Sequence, residues 1–137
     1  MVYLTRKLEF SASHLYHNPA LSAEENRRIF GKCNNRHGHG HNYRVDVTLR
    51  GLPDARTGML LDLRELDARV QEHVLAPLDH KHLNLQVPYF AGRQPTCENL
   101  ARWVWLALAA ALPSGLLDAV RVHEAEDLSA ECRGPAR

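Results

Sequence analysis

Polar and apolar positions alternate over two stretches in the first third of the chain. Val2 to His14 (VYLTRKLEFSASH) has strand composition, and the alternation puts Phe10, Ala12 and His14 on one face. In HNYRVDVTLRG, Tyr43, Val45, Val47 and Leu49 face one way, and Arg44, Asp46, Thr48 and Arg50 the other. LPDARTG reads as a turn, so Gly58 to Leu63 is expected to return as a strand paired with the preceding one. Helical spacing replaces alternation elsewhere. LSAEENRRIF predicts a short helix with Ser22 as N-cap and Glu25 completing a capping box. Leu63, Leu66, Val70 and Val74 predict a helix through LRELDARVQEHVLAPL that Pro77 ends. LDHKHLNLQVPYFAGRQ reads as loop. Pro95 and Thr96 then open a helix running to Leu112, with Thr96 as N-cap and Glu98 near the positive end of the dipole. SGLLDAVRVHEAED closes with a strand on which Val120, Val122 and Glu124 share a face.

The order ββ, helix, helix, β predicts an α+β fold, a four-stranded antiparallel sheet with two helices. Its open edges favour pairing with other subunits. No internal repeat or low-complexity linker interrupts the chain, so residues 1–137 are expected to form a single domain.

Charge and cysteine content narrow the function classes. Lys+Arg 17 against Asp+Glu 16 leaves a net charge of +1 without a basic block, which argues against nucleic-acid and anionic-membrane partners. Cys33, Cys97 and Cys132 are odd in number and form no C-x-x-C, as expected in a reducing compartment rather than a disulfide framework. The N-terminus has no signal-peptide apolar region, and VWLALAAALP is too short to span a bilayer. A cytoplasmic protein is the expectation.

The chemistry concentrates in FGKCNNRHGHGHNYRVDV, where Cys33 precedes His37, His39 and His41. Residues i and i+2 of a strand point the same way, about 6.6 to 7 Å apart, so His39 and His41 can converge on one ion. A catalytic zinc takes three protein ligands and keeps a fourth position open. His14, ending the first strand, is the candidate third ligand, because a neighbouring antiparallel strand can bring it beside the pair. The competing reading of H-G-H is an incidental surface turn. No second cysteine has zinc-finger spacing. Lys32 and Arg36 flank Cys33 in a Gly/Asn-rich loop, a setting expected to lower a thiol pKa; the alternative is an inert buried cysteine, as expected for Cys97 and Cys132. Asp79 and His80 follow a helix in a loop, and a carboxylate beside an imidazole can orient it for proton transfer. Glu124 places a carboxylate where an apolar side chain is expected: either an arginine-paired rim residue or an acceptor for a ring with adjacent N–H donors. Glu98 is explained by helix-dipole compensation alone. His17, His73, His82 and His123 read as ordinary surface or satisfied histidines.

FSASH, EEN…FGKCNN…GHGHNYRVDV, GMLLDL, LDHKHLN, PTCENLA and VRVHEA stand here in the order of the 6-pyruvoyltetrahydropterin synthase family, which the chain resembles over nearly its whole length. The resemblance implies a tunnelling fold, with each subunit supplying a four-stranded antiparallel sheet and two helices on one face. Three subunits form a barrel, and two trimers stack into a homohexamer with sites at subunit interfaces. It implies His14, His39 and His41 as ligands of one Zn2+ per subunit, Cys33 as the catalytic cysteine, and Asp79 and His80 as assistants in proton transfer. Thr96, Glu98 and Glu124 match positions around a pterin ring, with Glu124 as the anchor. The implied substrate is 7,8-dihydroneopterin triphosphate, turned over with Mg2+ present to a 6-pyruvoyl pterin and triphosphate.

Two departures stand out. His37 creates a second register, Cys33-x3-His37-Gly-His39, the spacing of 6-carboxytetrahydropterin synthase, which takes the same substrate toward queuosine and releases acetaldehyde. Positions 37, 39 and 41 share strand parity, so parity does not choose. HNYRVDV favours His39 and His41, and EENRRIFGKCNN favours the pyruvoyl type. Ala125 follows Glu124 where the family commonly has Thr. A third reading, a pterin- or zinc-binding protein without catalysis, is opposed by Cys33, Asp79 and His80 standing together.

Overall fold

The computed structural model describes residues 1–135, and its longest pairing joins β1 (Val2–His14) to β2 (His39–Gly51). The pair is antiparallel and unbroken from Val2 opposite Gly51 to His14 opposite His39. The expected faces hold: Tyr43, Val45, Val47 and Leu49 are buried, while Arg44, Asp46, Thr48 and Arg50 lie on the other side. Between the strands comes α1 (Ala23–Phe30), whose capping box is present: the Ser22 hydroxyl accepts from the Glu25 N–H, and the Glu25 carboxylate accepts from the Ser22 N–H.

The expected strand from Gly58 to Leu63 is absent. β2 already has β1 on one side and β4 (Leu117–Ala125) on the other, so no edge is left for it. Asp54 instead folds the connection, its carboxylate accepting from the Arg56 and Thr57 N–H groups. Asp62 then caps α2 (Leu63–Val70) by accepting from the Arg64 N–H. The helix continues through a π-turn (Gln71–Leu75) into α3 (Ala76–Leu78). Its buried residues are Leu66, Val70, Val74 and Leu78, each four positions apart, and the wider π-turn keeps them on one face where an α-helix would drift. Leu63 is exposed, not part of that stripe, and Pro77 lies inside the last turn.

The expected loop carries β3 (Lys81–His82), α4 (Leu83–Gln86) and a 3₁₀ turn (Pro88–Phe90) before α5 (Cys97–Ala111). Thr96 caps α5, and Cys97, Leu100, Ala101, Val104 and Leu108 form its buried stripe. β5 (Leu128–Cys132), unforeseen in the sequence, completes a sheet of order β3-β1-β2-β4-β5. β3 runs parallel to β1, so the sheet is mixed and five-stranded rather than four-stranded and antiparallel. The α2–α3 and α5 helices share one core with the inner face of the sheet, where Phe10 and Tyr43 stack at 4.9 Å. Among the described residues no helix is long and apolar enough to cross a membrane.

Candidate active site

The β1–β2 register sets His14 opposite His39, and Ala12 opposite His41. Cross-strand partners and residues two apart along a strand share a face, so three imidazoles meet at one end of the sheet. Their ligand nitrogens all lie within 4.8 Å of one another. His14 is 0% exposed, and its Nδ1 lies 3.0 Å from the Pro95 carbonyl. A carbonyl only accepts, so Nδ1 carries the proton and Nε2 presents its lone pair. Nε2 of His14 is 3.3 Å from Nε2 of His39. Two nitrogens on one tetrahedral metal, with bonds of about 2.0–2.1 Å, stand about 3.3–3.4 Å apart, so the pair fits a shared divalent cation. The buried His41 Nε2 makes no hydrogen bond among the described residues. Burial is the main cause that pushes His14 down to about 4, and it lowers His41 as well. Both rings are thereby kept neutral, the form that ligates a metal.

Cys33 closes the 3₁₀ turn Gly31–Cys33. Its carbonyl accepts from the Tyr16 N–H at 2.8 Å, and Asn34 Nδ2 donates to the Tyr16 carbonyl at 2.8 Å. The cysteine turn therefore hangs from the residue two beyond His14, and the Tyr16 ring lies 4.9 Å from the His14 ring. The expected lowering of the thiol pKa is not found. Burial, reinforced by the negative charge of Glu124, raises it, while Lys32 and Arg36 are exposed and their charges solvated.

Glu124 shares the buried face of β4 with Val120 and Val122 and is 8% exposed. Its Oε1 is 3.4 Å from His41 Nε2, and its buried Oε2 has no hydrogen-bond partner among the described residues. Among the described residues no arginine pairs with it. Burial raises its pKa, the positive potential of His39 opposes that, and Glu98 adds to it. A buried carboxylate with an unfilled acceptor position suits a ligand that brings N–H donors. Thr96 spends its hydroxyl on the helix cap, accepting from Asn99 N–H at 3.3 Å. Glu98 is exposed in the first turn of α5, in a groove with Arg102, Trp105 and Glu131.

Asp79 and His80 are together but turned elsewhere. Asp79 Oδ1 lies 3.0 Å from His80 Nδ1 and accepts from the Ser11 N–H at 2.9 Å, which holds the carboxyl below its ordinary range, first through Ser11 and then through His80. The His80 N–H donates to the Ser11 carbonyl at 2.6 Å, and its backbone is left-handed at φ 57. The His80 side chain is 82% exposed. It borders a shallow depression lined by Ser11, Ser13, Gly40 and Asn42, strand positions of opposite parity to the three histidines, together with Ala12, His41 and Lys81. Among the described residues no hydrogen bond joins Asp79 or His80 to Cys33; both are tied instead to Ser11 on β1.

His37 stands outside the histidine cluster. β2 begins at His39, Gly38 breaks the extended run at φ 70, and the exposed His37 bonds through its N–H to Asn35 Oδ1. The shared strand face expected for positions 37, 39 and 41 therefore holds only for the last two. His123 is satisfied by Asp46 Oδ2 at 3.0 Å. His82 is closer to the site than a surface reading allows: it is half-buried beside Gly38 and helps to lower the His14 pKa. Tyr16, Pro95 and the site role of the Tyr43 hydroxyl, 3.2 Å from His14 Nδ1, also escaped the sequence reading. Nothing in local alternation marks a carbonyl on a distant loop as the partner of His14.

A family model described as 6-pyruvoyl tetrahydropterin synthase matches residues 3–135. The 6-pyruvoyl tetrahydrobiopterin synthase of Poecilia reticulata is 49% identical over 124 residues, spanning 90% of this chain and 84% of that protein. The Homo sapiens protein of the same name is 47% identical over 124 residues, spanning 90% and 86%. The solved structure of Caenorhabditis elegans 6-pyruvoyl tetrahydropterin synthase superposes with a TM-score of 0.93 at 36% identity, covering 98% of this chain and 96% of that one.

Proposed function

The chain belongs to the 6-pyruvoyl tetrahydropterin synthase family and is a carbon–oxygen lyase of that kind, and from this premise we propose that it converts 7,8-dihydroneopterin triphosphate to 6-pyruvoyltetrahydropterin. In the proposed reaction the C–O bond to triphosphate breaks, and proton shifts carry the remaining diol side chain to a pyruvoyl group while the ring is reduced. The redox change is internal, so no hydride carrier takes part. The observation that carries this reading is the joining of His14, His39 and His41 at one end of the sheet, with Glu124 against His41 and the Cys33 turn tied to Tyr16.

His14, His39 and His41 would hold one Zn2+, which when bound polarises the side-chain hydroxyls and acidifies the neighbouring C–H bonds. Glu124 anchors the pterin ring by accepting its N–H groups, with Thr96 and Glu98 near the ring. Cys33 takes or relays a proton on one face of the side chain. His80, oriented by Asp79, handles a proton on the other. Because no contact among the described residues joins Asp79 or His80 to their own Cys33, this division of labour is assigned to a neighbouring subunit. A homohexamer of two stacked trimers with interfacial sites supplies one, and the open edge of β5, with the length of β1 left uncovered by its two-residue pairing with β3, supports it. The enzyme so read works in the cytoplasm, as one domain, on a small molecule.

Product analysis tests the reading. Zinc-loaded protein is incubated anaerobically with 7,8-dihydroneopterin triphosphate and Mg2+, and the products are identified by mass spectrometry. A pyruvoyl pterin with free triphosphate is expected. A carboxy pterin with acetaldehyde moves the chain to the queuosine branch, and unchanged substrate leaves a binding protein.

A further inference from the structure

In its hydrogen bonding, β1 does not stop at His14. Leu15 N–H donates to Asn84 Oδ1 at 3.0 Å, and the Leu15 carbonyl accepts from Asn84 Nδ2 at 2.9 Å. Gln94 repeats the arrangement two residues on: His17 N–H donates to its Oε1 at 3.0 Å, and the His17 carbonyl accepts from its Nε2 at 2.8 Å. Tyr16, between them, turns its N–H and carbonyl the other way, to Cys33 and Asn34. Partners that alternate from side to side along successive residues are the signature of a strand inside a sheet. Here one flank of that strand is made of side chains. A primary amide carries a donor and an acceptor side by side, so one residue can close both bonds of a ladder rung.

We infer that Asn84 and Gln94 are positioning residues for the proposed lyase reaction, clamping the Leu15–His17 strap from which the Cys33 turn hangs. The inference rests on the lyase reading above. Gln94 also directly precedes Pro95, whose carbonyl fixes the His14 tautomer. The two amides thus tie to one another the thiol and the buried metal-ligand candidate. Neither amide touches Cys33; each acts through the strap. Their loss lets the strap shift against the histidines, and a misplacement of about 1 Å at a reacting group is worth on the order of a hundredfold in rate.

The test uses Asn84→Leu and Gln94→Met, which keep bulk and remove both bonds, with Asn84→Asp and Gln94→Glu keeping only the accepting oxygen. Two readouts are taken on the full chain. The first is kcat and KM of the zinc-loaded protein. The second is iodoacetamide labelling of each cysteine in the metal-free protein, resolved by peptide mass spectrometry, with the buried Cys97 reporting general loosening. The expected result is a fall in kcat of about tenfold or more with KM within about twofold. Cys33 labelling rises severalfold while Cys97 stays protected, and the acidic variants fall between these and wild type. Wild-type kcat and wild-type Cys33 labelling in folded variants overturn the inference, as does a rise at Cys33 and Cys97 together. If a hydrocarbon variant is insoluble, the acidic pair carries both readouts. Wild-type protein inactive on 7,8-dihydroneopterin triphosphate would remove the lyase reading alone, because the labelling arm still decides whether the clamp holds Cys33.

Discussion

Protonating His14 in the folded chain means placing a charge in a fully buried site with two further imidazoles beside it, and burial outweighs the Pro95 carbonyl at Nδ1, which favours the charged ring. That is why its pKa lies at about 4, against about 6.5 in an unfolded chain. The metal-free protein is therefore expected to keep this contribution in full above about pH 6.5 and to lose it as the pH falls toward 4, because the unfolded chain takes up a proton that the folded one refuses. The slope from this one group is at most about 1.4 kcal/mol per pH unit. Urea midpoints at pH 7 and pH 5 measure it, and His14→Gln should flatten the difference. Cys33→Ala is expected to cut turnover by about 10²–10⁴-fold and leave pterin binding intact; full turnover in that variant would remove the role given to Cys33. At this scale the sequence was informative wherever parity decided: Glu124 on an apolar strand face and His14 in line with Phe10 were both readable. The direction of the Cys33 shift was not, because it comes first from burial and then from Glu124, ninety-one residues away in sequence, and not from the nearby Lys32 and Arg36.

Two histidines on neighbouring strands meet only if both strands begin and end at the right residue, so element boundaries decide the site. Gly38 sets one of them. It sits at φ 70, and a Cβ added there would lie 2.9 Å from the His14 carbonyl oxygen and 3.1 Å from His82 Nε2. Gly38→Ala is expected to cost about 1–3 kcal/mol and to weaken zinc binding, since the backbone must leave the left-handed region or push β1 away at His14. Thermal melts with and without zinc check it; a wild-type melting temperature together with wild-type zinc affinity would show that His39 is placed by something else. The long strands, the capping box and the α5 stripe were legible because period and cap residues agree locally. The missing Gly58–Leu63 strand was not, because GMLLDL is as apolar as a strand and only the occupancy of both β2 edges excludes it. β5 escaped for a different reason: Leu128, Ala130 and Cys132 alternate with Ser129 and Glu131, but a run of five mostly exposed residues at an edge is too short for alternation to stand out.

At the scale of the whole molecule, the chain presents half of the proposed chemistry on each face of one sheet. His14, His39, His41 and Glu124 lie on the helix-covered side, and Asp79 with His80 opens toward the other. No contact among the described residues joins His80 to its own Cys33, whereas a closed ring can bring it to a neighbour's. The native mass is accordingly expected to be six times the 15.5 kDa of the chain. A sharper consequence follows for mixed assemblies. Cys33→Ala and His80→Ala subunits should each be inactive alone, yet co-refolded at equal amounts they should recover about a quarter of wild-type turnover. In that mixture about one site in four combines an intact Cys33 with an intact neighbouring His80, if subunits assort at random. Activity assays on the mixture, alongside native mass measurements showing that assembly is unaltered, separate the cases. Zero recovery in correctly assembled mixtures would mean that Asp79 and His80 act on their own subunit or not at all, and the open face of the sheet would then need another purpose. Recovery near a quarter would make the two-faced sheet the reason the enzyme must assemble to work.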